Sequence, residues 1–150
     1  MANSDLIDSL IATYRNLNLA IRPLPDAQMT QAAGDGKSLR DLVVEMRDHE
    51  MMSSQQLKLM SLGDSAIAGG MPEILPSAPG ISTRSVLSEF GTAREAILAL
   101  IRELPEAEWA VEREGPNGRT TFQAFVEQLA AHDREALSQI DPLVKSHATA

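Results

Sequence analysis

Leu6, Leu10, Tyr14, Leu17 and Ile21 recur every three or four residues, the spacing that lines apolar side chains along one side of an α-helix. Ile11 serves the same stripe as an alternative to Tyr14. A first helix is therefore expected from about Ser4 to Arg22, with Ser4 as candidate N-cap and "RPLPD" as terminator. The pattern returns three times. A second helix is predicted after "GDGK", capped by Ser38 with Asp41 in its first turn and closed by Gly63; its stripe is Leu39, Leu42, Val43, Met46, Ser53, Leu57 and Met60. A third runs from about Thr83 to Leu104 on Val86, Leu87, Phe90, Ile97, Leu98, Ile101 and Leu104, and "LPEAEW" ends it. A fourth opens at Thr120 or Thr121 and carries Phe122, Phe125, Val126, Leu129, His132, Ala136 and Ile140. Asp141-Pro142 is expected to end it, with a frayed tail from about residue 143.

Between these stretches lie breakers. Residues 61–82 are rich in Gly, Pro and Ser without periodicity and predict a long loop, which in compact domains is often a lid. "VEREGPNGRTT" contains a Pro-Asn-Gly turn and suggests a small hairpin. Four amphipathic helices with one long crossover between the second and third give an all-α, four-helix bundle. The 150 residues fit one domain, with neither an internal repeat nor a second domain visible. Aromatic residues at 3% against abundant Leu, Ala, Ile and Met disfavour a β-rich alternative.

Charge and composition exclude several functions. A net charge of −8 and no basic stripe argue against a nucleic-acid partner. The absence of cysteine removes disulfides, thiolate nucleophiles and Cys-ligated zinc. "MANSDLIDSLIATYRN" lacks the basic start and apolar run of a signal peptide, and no window approaches the ~18 apolar residues of a membrane span. The expectation is a soluble, cytoplasmic protein. "GDGKS" is not a phosphate loop, and no Gly-x-Ser-x-Gly elbow occurs.

Polar groups on apolar stripes carry the functional signal, because burying them costs free energy unless they find partners. The fourth helix offers His132, flanked by Gln128 and Glu135; the second offers Glu45 and His49, four apart and so on one face. If the two helices pack together, Glu45, His49 and His132 converge as two imidazoles and a carboxylate, a set suited to zinc, nickel or iron with open positions for water or substrate. The same residues also read as a hydrogen-bonded core histidine (His132) and a surface pair (Glu45 and His49, beside Arg47 and Asp48) worth only ~0.5 kcal/mol. Met46, Met51, Met52 and Met60 fill a core or line an adaptable pocket. His147 lies in the tail and receives no role.

Three stretches, "LPDAQMTQAAGDGKSLRDLVVEMRDHE", "SVLSEFGTAREAILALIRELPEAEW" and "GRTTFQAFVEQLAAHDREALSQI", resemble the DinB/YfiT-like superfamily of four-helix bundles, the last including its His-Asp pair. The resemblance covers essentially the whole chain. It implies a bundle in which one histidine of the second helix and two of the fourth, four apart, bind a divalent metal; characterised members include transferases and isomerases that use low-molecular-weight thiols. His132 falls on the first of the two fourth-helix positions and Ala136 on the second. The second-helix position falls on Glu45, with His49 one turn later. Two readings follow. In one, Glu45, His49 and His132 hold a divalent ion that activates water or a small thiol, with Glu135 or Gln128 assisting. In the other, the bundle has lost the metal and binds a small molecule or a partner protein, or pairs with itself as a homodimer.

Overall fold

A computed structural model describes residues 3–32, 36–70 and 73–148. Gly34 and Asp35 of the "GDGK" stretch, Met71 and Pro72 of the long loop, and Thr149 and Ala150 of the tail lie outside the described residues. In chain order the elements are α1 (Asn3–Ile21), the single turn α2 (Asp26–Met29), α3 (Leu39–Leu62), the single turn α4 (Asp64–Ile67), α5 (Thr83–Glu103), a 3₁₀ turn (Glu106–Ala110), the strands β1 (Arg113–Gly115) and β2 (Gly118–Thr120), and α6 (Phe122–Ala148). Among the described residues no helix is long and apolar enough to cross a membrane.

The helix boundaries follow from caps. The Ser38 hydroxyl accepts from the Asp41 amide at 3.1 Å, and the Asp41 carboxylate accepts from the Ser38 amide at 2.9 Å, so two otherwise orphaned N–H groups are satisfied reciprocally. Gly63, at φ 111°, terminates α3 in a conformation that residues with a Cβ avoid. Thr121, rather than Thr120, caps α6 by accepting from the Ala124 amide at 3.0 Å. Ser4 lies inside α1 instead of capping it.

The end of α6 differs from expectation. The helix passes through Pro142 and continues to Ala148. A proline there removes one backbone hydrogen bond. Leu143 and Val144 beyond it pack against the apolar core, which offsets that loss.

Connectivity also differs. Helix α1 packs on α5 and α6, and α3 packs on the same two, so α1 lies diagonally opposite α3 and α5 opposite α6. The connections that cross the bundle are thus residues 22–38 and 104–121; the long middle loop joins neighbouring helices. The first crossing is strapped over the start of α5: Arg84 donates to the backbone oxygens of Arg22 at 2.7 Å and Leu24 at 2.8 Å, and the Thr83 amide donates to Asp26 at 3.0 Å. The second crossing buries Trp109 and lays the β1–β2 hairpin against α3 and α4. There the Glu114 amide donates to Asp64 at 3.2 Å.

Two apolar clusters fill the interior. One gathers Leu6, Leu10, Leu57, Ile97, Phe122 and Val126; the other gathers Leu17, Leu39, Met46, Leu87, Phe90 and Ile140. Each long helix contributes to both, and a layer of charged side chains lies between them.

Candidate functional site

Arg94 sits at the centre of that layer with no solvent exposure. Its guanidinium reaches every other long helix: two hydrogen bonds to the Glu50 carboxylate of α3, two to Asp133 of α6 at 2.8 and 2.9 Å, and one to the Leu10 carbonyl of α1 at 2.9 Å. The Phe90 ring, one turn back, has its centroid 5.1 Å from the guanidinium carbon and attracts the cation through its electron-rich face. Burial raises the pKa of Glu50 more than its bonds to Arg94 lower it. Burial alone would lower that of Arg94, but hydrogen bonds to Asp133 and Glu50 outweigh it and raise the value. The guanidinium stays charged throughout the physiological range.

The residue before each of these carboxylates is a histidine. Fixing Glu50 and Asp133 to one guanidinium fixes His49 and His132 relative to each other, and the two imidazoles stack face to face, centroids 3.4 Å apart and planes within 3°. Burial depresses the pKa of His49 to about 4, and the repulsion that a proton on the neighbouring His132 would bring adds to this. Burial likewise lowers that of His132, against the pull of Asp133. Both rings are neutral at pH 7, the state in which they can lie in contact without repulsion.

The stack separates two hollows. On the His49 side is a cleft of about 380 Å³, walled by Met52, Ser53 and Gln56 of α3, by Pro116–Thr120 of the hairpin, and by Phe125, Gln128 and Leu129 of α6. On the His132 side is a smaller one of about 70 Å³, lined by Leu42, Glu45, Met46, Glu135, Ala136 and Gln139. The residues expected to act together are therefore distributed: His49 and His132 touch, while Glu45 borders His132 from the far side. The Glu45 carboxylate is half exposed and ion-paired with Lys37 at 2.8 Å.

This chemistry does not fit a resident metal centre. Imidazole lone pairs lie in the ring plane, and two parallel stacked rings direct them side by side instead of toward one point. The position where the resemblance implies a second fourth-helix ligand holds the methyl of Ala136, which packs against the cluster of Leu17, Leu39 and Phe90. Among the described residues no group of three or more His, Asp or Glu side chains is arranged to hold an ion.

Arg94, Glu50 and Asp133 were absent from the apolar stripes read above, yet the stripes pointed to them. Position 94 falls between Phe90 and Ile97, position 50 between Met46 and Ser53, and position 133 between Leu129 and Ile140, each where its helix faces inward. One basic and two acidic side chains at the inward gaps of three different helices are the pattern a buried ion network leaves in a sequence.

The family model of the DinB superfamily matches residues 9–140. No curated protein matches the chain. Among solved structures, YfiT from Bacillus subtilis, described as a probable metal-dependent hydrolase with an unusual four-helix bundle topology, is 17% identical to this chain and superposes with a TM-score of 0.74 over 97% of this chain and 89% of its own. That likeness shows the fold. With its family model matched over nearly all of its length, the chain belongs to the DinB superfamily.

Proposed function

We propose that this chain is a small-molecule-binding bundle that works without a resident metal ion, taking its ligand in the cleft between α3, α6 and the hairpin with His49 as a polar anchor. The observation that carries the reading is the closed His49–His132 stack with Ala136 behind it. His49 lines the cleft, and its partner ring His132 faces the smaller hollow, so the two imidazoles form a partition instead of a coordination sphere. The volume of about 380 Å³ falls within the range of small-molecule sites (~300–1,000 Å³), and Met52, Phe125 and Leu129 supply apolar surface beside amide and hydroxyl groups.

The test uses chelator-treated protein and 4-phenylbutyramide, a neutral amphiphile of suitable size, followed by backbone amide chemical shifts. Saturable shifts at Gly118, Gln128 and His49 without added metal are expected. Binding that appears only after zinc is added, or shifts confined to other surfaces, would overturn the reading.

A second reading keeps a metal, favoured by one observation: Glu45 and His132 border the same small hollow, with Glu135 beside them. In it Glu45, His49 and His132 hold a divalent zinc, nickel or iron ion and the chain acts as a metal-dependent enzyme, with a low-molecular-weight thiol among its candidate substrates. It requires the imidazole stack to open and the Lys37–Glu45 pair to part.

A further inference from the structure

The chain carries 21 acidic side chains against 13 basic ones, yet the large cleft is lined by none of the acids. Its one formal charge is Arg119, in the middle of β2; the other polar groups are hydroxyls, amides and His49. In a molecule of net charge −8, an acid-free concavity with a guanidinium at its rim repels an anion less than the acidic surface does. From these features we infer that the cleft selects a small molecule carrying one anionic group, a carboxylate or phosphate, held by Arg119, with an apolar body against Phe125 and Leu129. The inference rests on the preceding reading of the cleft as a ligand site.

Arg119 is available for this role. Its guanidinium donates to the Glu114 carboxylate at 3.2 Å and to the Glu112 carbonyl at 3.4 Å, both long contacts, and roughly half of the side chain is exposed. Exposed pairs of this kind contribute little. A ligand anion can therefore compete with Glu114 for the guanidinium, and the fork geometry of arginine suits either anion. Glu114 lies outside the cleft lining and holds Arg119 in place when the site is empty, and it opposes a ligand anion only at the rim, which is why its charge is removed in the test below.

The experiment compares 4-phenylbutyrate with 4-phenylbutyramide, which differ only in the charged end, by amide chemical-shift titration at pH 7.5. The carboxylate is expected to bind about fivefold more tightly. That advantage should shrink in high salt and disappear in Arg119→Gln, whereas Glu114→Gln should increase it. Equal affinities at the cleft, or an advantage that survives Arg119→Gln, would overturn the inference while leaving the cleft a ligand site. Failure of both compounds to perturb the cleft would take down the inference together with the reading beneath it.

Discussion

Removing the Arg94 guanidinium leaves Glu50 and Asp133 buried and facing each other without a cation. Breaking a buried ion network from one side typically costs ~3–5 kcal/mol, so Arg94→Met should lower the free energy of unfolding in urea by about that amount. Adding Glu50→Gln and Asp133→Asn should restore a large part of it, because the penalty comes from stranded charge. A loss below about 1 kcal/mol for Arg94→Met would show that the network is not a structural centre. The histidines make a second prediction. Their folded pKa values lie below the ordinary 6.5, His49 at about 4, so below pH 6.5 the unfolded chain binds protons that the folded chain refuses. Their contribution is therefore complete above pH 6.5 and is lost as pH falls toward 4. Glu50, with a raised value, acts in the opposite direction, so the effect is read as a difference between wild type and His49→Gln. Between pH 7 and 5 wild type should lose about 1 kcal/mol more than the variant, a figure discounted for the partial exposure of the ring. Parallel pH profiles would contradict the neutral stack.

At the scale of elements, α1 and α5 approach closely at one point. A Cβ built on Gly91 would lie 2.2 Å from the Tyr14 hydroxyl, and the Tyr14 ring is already packed on Phe90 with centroids 5.9 Å apart. Gly91→Ala gains ~1 kcal/mol of helix propensity but must displace that ring. A net destabilisation of about 1 kcal/mol is expected, turning to stabilisation in a Tyr14→Leu background; thermal unfolding of the four variants measures both. The long helices were legible because three-to-four-residue apolar spacing and the Ser38 and Gly63 signals are local. The passage of α6 through Pro142 was not, since it depends on Leu143 and Val144 finding the core, a tertiary contact that overrides a local breaker. The diagonal order of helices was illegible for the same reason: loop length shows that a crossing exists, and only contacts such as Arg84 with the Arg22 carbonyl show where it goes.

For the whole molecule, the polar layer couples fold to site. One guanidinium ties α1, α3 and α6 to α5 and in doing so sets the two histidines against each other. Both histidines were legible in the sequence, because imidazoles beside apolar stripes are conspicuous, and the family resemblance pointed to Ala136. It left open which side of His132 the Glu45 carboxylate occupies, since neighbours four apart on one helix can face different hollows once a second helix packs between them. We propose that in this DinB-superfamily bundle a stacked imidazole pair stands in place of a resident metal centre. Metal content of protein purified without a histidine tag, measured after incubation with zinc, nickel and manganese and passage over a desalting column, tests it most directly. Well below one equivalent of any ion is expected, with uptake of an ion once Glu45→His and Ala136→His supply the missing ligands. One tightly held equivalent in the wild-type chain, lost in His132→Ala, would contradict it.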